Sequence, residues 1–282
     1  MKGQKRVLAI HDISAFGRCS LTVALPIISA AGVETTVLPT AVLSTHTGGF
    51  SGFTYRDLSD DILPIYEHWK TLGLKFDAVY SGFLGSFGQV AMMEKIFAHA
   101  KKQGSMIIVD PVMADHGVLY KIFPKEFPQE MAKLAKQADI LVPNITEACL
   151  LLNGEYKEPP YEKTYIEELL TGLKKFGAKS AVLTGVAFKH GELGAAAIDE
   201  CGKITYCFLP LISGYYHGTG DVFASALTGA VLNGKNLTES TKIAVAFTHE
   251  SITRTKKAGT DVRYGVNFEQ SLAGYMKHLG VI

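Results

Sequence analysis

The residues of this chain best placed to do chemistry are Gly218-Thr219-Gly220-Asp221, which run directly into Val222-Phe223-Ala224-Ser225-Ala226-Leu227. The run that follows the two glycines and the threonine is amphipathic and helix-forming. A helix N-terminus carries unpaired N–H donors and about half a positive charge, so it seats an anion well. Glycines there let the backbone approach a phosphate that a Cβ would hold off. Asp221, in the first turn, would set a carboxylate beside that phosphate, where it could take a proton from an attacking hydroxyl. The four residues imply phosphoryl transfer onto a small alcohol. Taken alone, they fit still more readily a Gly-x-Gly-Asp turn that only starts a helix.

A second set of candidates appears once strands are placed. Short β-branched runs predict strands over Arg6–Ile10, Val33–Pro39, Phe76–Ser81, Met106–Asp110, Asp139–Val142 and Ser180–Thr184. Helical periodicity predicts Ser20–Ala31, Leu58–Leu72, Gln89–Lys102, Pro128–Gln137, Thr146–Asn153 and Thr164–Phe176 between them. After Thr184 a hairpin is expected from Gly194–Asp199 and Lys203–Leu209, then helices over Val222–Asn233, Leu237–Lys257 and Phe268–Leu279. Strands as apolar as Met106-Ile107-Ile108-Val109, alternating with helices, imply a mostly parallel sheet covered on both faces. Such a sheet binds ligands at the carboxyl ends of its strands.

Those ends carry small, polar or acidic residues throughout. Asp12, Ser14 and Gly17 follow the first strand, Ser44-Thr45-His46-Thr47-Gly48-Gly49 the second, and Ser81-Gly82-Phe83-Leu84-Gly85-Ser86 the third. Asp110-Pro111-Val112-Met113-Ala114-Asp115 follows the fourth, Pro143-Asn144-Ile145-Thr146-Glu147 the fifth and Thr184-Gly185 the sixth. Asp110, Asp115 and Glu147 offer hard oxygens of the kind Mg²⁺ takes, one or two carboxylates at a time beside substrate phosphates. Glu147 would serve as well as a first-turn helix charge, and Asp110 as the acceptor of an Asp-Pro turn. His46 could orient a substrate hydroxyl, or could simply be a hydrogen-bonded loop residue.

Composition narrows the class. The chain has 282 residues, 47% of them apolar and 20% charged, as expected of a soluble protein with a large core. The net charge is +1 with no basic stripe, which argues against nucleic acid as a partner. The basic start is followed by an apolar run broken at His11 and Asp12, too short for a signal peptide, and no segment would span a membrane. Cys19, Cys149, Cys201 and Cys207 form no CxxC pair and read as reduced thiols of a cytoplasmic protein, with Cys149 facing the core. No composition break, low-complexity tract or repeat divides residues 1–282, so one domain is expected. The full Walker A pattern, Gly-x-x-x-x-Gly-Lys followed by Ser or Thr, does not occur, so the ordinary P-loop route to ATP is excluded.

Taken in order, the Gly17 loop, Ser44-Thr45-His46-Thr47, Ser81-Gly82-Phe83-Leu84-Gly85-Ser86, Asp110-Pro111-Val112-Met113, Pro143-Asn144-Ile145-Thr146-Glu147 and Gly218-Thr219-Gly220-Asp221 resemble the ribokinase-like superfamily. Within it they look most like the pyridoxal kinase branch of the vitamin kinases, over nearly the whole chain. The resemblance implies a three-layer αβα sandwich that uses ATP and Mg²⁺, often with a monovalent cation such as K⁺. The expected reaction phosphorylates the hydroxymethyl group of a B6 vitamer, usually in a homodimer. Carried over by position, Asp221 would be the base and Gly218, Thr219 and Gly220 the anion hole. Asp110, Asp115 and Glu147 would serve the cation, Asn144 and Thr184 the nucleotide, and Tyr120 a lid over the phosphates. Asp12, Ser14, Ser44, His46, Thr47 and Phe83 would make the substrate side, with Thr47 on the vitamin ring.

Two positions depart from that pattern: Asp12 stands where the branch commonly has Ser, and Phe83 where it has Tyr. Hydroxymethylpyrimidine kinase is the rival activity on the same fold. Its members often carry Cys at the base position or in the lid, whereas this chain has Asp221 and no Cys over residues 111–124. A non-catalytic ligand sensor is the third reading, and it would have no need of Asp221.

Overall fold

A computed structural model describes residues 3–282. In chain order its strands are β1 (Arg6–Phe16), β2 (Glu34–Thr45), β3 (Tyr55–Asp57), β4 (Ala78–Ser81), β5 (Met106–Val109), β6 (Ala114–Asp115), β7 (Val118–Leu119), β8 (Ile140–Leu141), β9 (Ser180–Val186), β10 (Glu192–Ile198) and β11 (Ile204–Pro210). Its helices are α1 (Leu21–Ala30), α2 (Ser59–Thr71), α3 (Phe87–Lys102), α4 (Phe127–Ala135), α5 (Ile145–Leu152), α6 (Lys163–Phe176), α7 (Thr219–Leu232), α8 (Leu237–Ala258) and α9 (Leu272–Leu279).

Nine strands form one sheet in the order β11-β10-β9-β8-β5-β4-β1-β2-β3. The pairings from β9 through β8, β5, β4 and β1 to β2 are parallel, while β10, β11 and β3 add antiparallel edges. Successive strand residues point to opposite faces, so a strand apolar throughout must be covered on both. Val7 of β1 and Ile108 of β5 join the core under α1, α7, α8 and α9. Leu8, Ile10, Ile107 and Val109 join the core under the layer from α2 to α6. The three-layer αβα sandwich follows from that alternation.

The first strand departs from expectation. β1 keeps β4 as a neighbour only to Ile10↔Ser81, but it stays paired with β2 as far as Phe16↔Thr45, past a bulge between His11 and Ile13. Beyond the sheet's carboxyl edge β1 and β2 therefore continue as a ribbon, with β3 laid against β2. Asp12 and Ser14 sit inside this ribbon rather than after a strand, and so does Ser44. Polar residues in β1 hid the extension, because pairing there needs no apolar face. Two further elements, the β6–β7 hairpin and β3, are too short to leave a period. The last helix also divides, with a 3₁₀ turn at Glu269–Ser271 ahead of α9.

β1 is where the parallel order turns back on itself, with β2 on one side and β4 on the other. Crevices at such reversals are the usual ligand sites of open α/β sheets. Among the described residues no helix is long and apolar enough to cross a membrane. All four cysteines are free thiols, and Cys149 is buried in the core.

Candidate active site

A cavity of about 730 Å³ opens at the carboxyl edge of the sheet, and the N-terminus of α7 forms part of its wall. Gly218 starts α7 in the left-handed region at φ 74°, and a Cβ there would run into the Arg18 carbonyl. Glycine is forced at that position. At Gly220 the case is reversed, because a Cβ would meet nothing within 4 Å. The protein's own packing does not require glycine there, so the vacant space belongs to the cavity. Thr219 Oγ1 turns back to donate to the Tyr216 carbonyl at 3.3 Å, and no side chain caps the helix. The first-turn N–H groups of α7 are left for an anion in the cavity.

Asp221 stands in that first turn and lines the cavity. Burial pushes its pKa up to about 7, and the charge of Asp12 adds to the rise, while the Ser20 N–H pulls the other way. Asp12 is 4% exposed and its pKa is also raised by burial. Its carboxylate accepts from Ser20 Oγ at 2.6 Å and from Ser14 Oγ at 3.1 Å. Asp110 is buried and its pKa is held well above the carboxylate range by burial, then by the charges of Glu147 and Asp221. Burial also raises Glu147, against the backbone N–H groups of Asn144 and Met113, which donate to it at 2.9 and 3.0 Å.

Several candidates are committed elsewhere. Ser14 is fully buried behind Asp12, and Ser44 Oγ accepts from the Thr54 N–H at 2.9 Å at the root of the β2–β3 turn. Neither residue lines the cavity. His46 does, but its Nε2 donates to the Arg263 carbonyl at 2.6 Å and its Nδ1 accepts from the Gly48 N–H at 3.2 Å. Both ring nitrogens are held by backbone, and burial lowers its pKa. Asn144 reaches the cavity as the N-cap of α5, with Oδ1 accepting from the Glu147 N–H and Nδ2 donating to the Ala114 carbonyl.

Thr47, Phe83, Tyr120 and Thr184 line the cavity with free polar atoms or open faces. Tyr120 is 38% exposed and lies just past β7. Asp115, on β6, accepts from the Tyr215 hydroxyl at 3.1 Å and from the His116 N–H at 2.9 Å.

Among the described residues no three His, Cys, Asp or Glu side chains converge into a closed metal cage. The donor set nevertheless suits Mg²⁺ held jointly with a nucleotide. Asp110 is a buried carboxylate that feels two further negative charges, and one or two carboxylates plus phosphates and water complete such a site.

Residues missed from sequence complete the walls. Ser20 and Tyr215 line the cavity, together with an apolar side formed by Leu209, Val245 and Ile252. Ser20 gave no signal beyond that of a helix cap, and Tyr215 none beyond its nearness to Gly218. The apolar residues are indistinguishable from core in sequence.

With this geometry in place, comparison with known proteins decides the family. The phosphomethylpyrimidine kinase family model matches residues 25–266. The chain belongs to that family. A Bacteroides thetaiotaomicron protein, provisionally described as a phosphomethylpyrimidine kinase and crystallised in one form with pyridoxal, is 34% identical in that form. It covers 97% of this chain and 96% of its own, with a TM-score of 0.91. Pyridoxal kinase from Lactobacillus plantarum is 32% identical, covers 98% of each chain and gives a TM-score of 0.88. A hydroxymethylpyrimidine/phosphomethylpyrimidine kinase of Haemophilus influenzae is 24% identical over 279 residues, 92% of this chain and 95% of that protein. The family thus spans two vitamin alcohols, and the chemistry common to both is phosphoryl transfer to a hydroxyl.

Proposed function

We propose that this chain transfers the γ-phosphoryl group of ATP to the hydroxymethyl oxygen of pyridoxal, pyridoxine and pyridoxamine. The observation that carries the reading is the open, glycine-lined N-terminus of α7 with Asp221 in its first turn. Backbone N–H groups of Gly218, Thr219 and Gly220 would hold the phosphoryl oxygens as charge develops on them. Asp221 would take the hydroxymethyl proton, and a pKa pushed up to about 7 suits a base working near neutral pH. The apolar side formed by Leu209, Val245 and Ile252 offers a seat for the adenine, with Thr184 at its edge. Asp110, backed by Glu147 and Asp115, would hold Mg²⁺, which when bound offsets the charge of the phosphates. A monovalent cation, a homodimer and a cytoplasmic location belong to the same reading and follow the resemblance.

An aminopyrimidine alcohol is the second substrate reading, and Asp12 is the residue that keeps it open. A buried carboxylate at the substrate side is stabilised by a ligand that presents a donor or a positive charge. A protonated pyridine nitrogen, the amine of pyridoxamine and an exocyclic aminopyrimidine amine all qualify.

One experiment tests both. Release of ADP is measured with purified protein, MgATP and each of pyridoxal, pyridoxine, pyridoxamine and hydroxymethylpyrimidine. The expected result is the highest kcat/KM with a B6 alcohol. A preference for hydroxymethylpyrimidine would transfer the assignment to the second reading, and no turnover with any of the four would overturn both.

A further inference from the structure

Three consecutive carbonyls of one short turn reach three separate parts of the cavity wall. The 3₁₀ turn at Val262–Tyr264 lies between α8 and α9, and none of its residues lines the cavity. The last carbonyls of a helical turn have no partner within it, so they are free to accept from elsewhere. The Val262 carbonyl accepts from the N–H of His217, the residue just before the Gly218 start of α7, at 3.4 Å. The Arg263 carbonyl accepts from His46 Nε2 at 2.6 Å. The Tyr264 carbonyl accepts from the Arg18 N–H at 3.0 Å, in the loop that leads through Cys19 to Ser20. His217, His46, Cys19 and Ser20 all line the cavity.

His46 carries the constraint further. Its Nδ1 accepts from the Gly48 N–H at 3.2 Å, so the segment that holds Thr47 is tied to Arg263 through one ring. The three wall segments also touch one another, with glycine at each contact. A Cβ on Gly17 would lie 3.1 Å from His46 Cδ2, and one on Gly48 2.7 Å from His217 Nδ1. A Cβ on Gly218 would strike the Arg18 carbonyl. Packing this close leaves the segments little room to slide.

The turn is held in shape by its own residues. Asp261 caps it, with Oδ1 accepting from the Arg263 N–H at 3.0 Å and both carboxylate oxygens accepting from the Arg263 guanidinium. The Tyr264 ring meets Phe16, at the end of β1, edge-on at 5.0 Å and lies parallel to Phe50 at 6.3 Å. The Asp261–Arg263 pair is partly exposed to solvent and contributes little to global stability. Its effect falls instead on the direction of three carbonyls.

We propose that the Val262–Tyr264 turn is a positioning element for the vitamer side of the cavity: its carbonyls set the Arg18–Ser20 loop, the His46–Gly48 segment and the start of α7 against one another. The adenine seat is built separately, by Leu209 of β11 and by Val245 and Ile252 of α8. About 1 Å of misplacement can lose on the order of 100-fold in rate, so a turn outside the cavity can govern the chemistry within it.

The inference rests on the vitamer kinase reading, and its test includes one arm that needs no turnover. Asp261→Ala removes the cap and the partner of the guanidinium, while Asp261→Asn keeps an acceptor for the Arg263 N–H. Both are assayed for vitamer and ATP kinetics and for Tm, and residue-resolved hydrogen exchange is followed at the Arg18, Gly48 and His217 amides. Asp261→Ala is expected to lower kcat/KM for the vitamer about tenfold and to leave KM for ATP within about twofold. Exchange should quicken at all three amides while Tm stays within a few degrees of the parent. Asp261→Asn should recover most of the vitamer kcat/KM. Faster exchange confined to the turn itself, with the parent's kinetics, overturns the proposal. So does a joint loss of Tm, ATP kinetics and vitamer kinetics that Asp261→Asn does not recover. If the parent turns over no vitamer, the kinase reading fails by itself, and exchange at the three amides still decides whether the turn holds the wall.

Discussion

Two helices begin at the carboxyl edge of this sheet with an acidic residue at the same third position, yet they use it in opposite ways. In α5 the N-cap is Asn144 and the third residue is Glu147. The two side chains close on each other's backbone in a capping box, and Glu147 takes the Met113 N–H besides. In α7 the N-cap is Gly218, which has no side chain to offer, and the third residue, Asp221, opens onto the cavity. One N-terminus satisfies itself. The other leaves its donors and its carboxylate for a ligand. An acidic first turn therefore says little about function until it is known who accepts from the first N–H groups.

The largest effect should come from the open end. Asp221→Asn keeps the shape of the side chain and removes the proton acceptor, which should lower kcat by about 10²–10⁴-fold. ATP binding should persist, as equilibrium titration with a nucleotide analogue would show. Turnover within a few-fold of the parent would place the base elsewhere. Gly220→Ala should follow, with kcat lowered by about 10²–10³-fold if the first-turn donors hold the transferring group. Its added methyl meets open space, so the fold should be unharmed. The discriminating measurement pairs kcat with Tm, and a loss confined to vitamer affinity would mean that no phosphate sits there.

How far these two ends could be told apart from sequence depends on the residue. Gly-Thr-Gly-Asp announces an uncapped start, because glycine cannot close the box. Asn144 and Glu147 have the spacing of a capping box, yet the same two types also suit nucleotide and metal contacts, and only the geometry shows their atoms already engaged. His46 is the same case, since a ring between Gly17 and Arg263 is committed to backbone by tertiary packing. Most of the fold was legible because parallel strands such as Met106–Val109 are apolar on both faces and the helices keep their period. The ribbon that carries Asp12 and Ser14 was not, because residues paired outside the core need no alternation. Ser20 was hidden for another reason: a serine ahead of an apolar helix reads as a cap, and only the folded chain shows its hydroxyl on Asp12.

A pH experiment probes the open end without disturbing it. Asp221 must be ionised to accept a proton, so kcat/KM should fall about tenfold per pH unit below a midpoint near 7. Stability should run the other way. A carboxyl group whose folded pKa is raised from 3.8 to about 7 favours folding fully only below its unfolded pKa, and that contribution is lost as pH rises through 7. Between pH 5 and 8 the parent's Tm should therefore decline more than that of Asp221→Asn. Equal slopes would remove Asp221 as the source.

The smallest effect belongs to the closed end, and it should appear in a different measurement. Asn144→Ala removes the Oδ1 acceptor of the Glu147 N–H and the Nδ2 donor to the Ala114 carbonyl, two bonds of 2.9 and 2.8 Å. Loss of an N-cap side chain costs about 1 kcal/mol, within a range of roughly 0.5–2. The second bond, which ties α5 to the β6 strand, argues for the upper part of that range. Glu147 would also be left with one orphaned amide behind it, so its carboxylate should move and the half-maximal Mg²⁺ concentration should rise a few-fold. The kcat at saturating Mg²⁺ should fall far less than with Asp221→Asn, because none of the lost bonds points at the anion seat of α7. Denaturant unfolding and a Mg²⁺ titration together decide the matter. A stable Asn144→Ala protein with collapsed kcat would show that the α5 terminus, too, spends its donors on the ligand, and the contrast between the two helices would be lost.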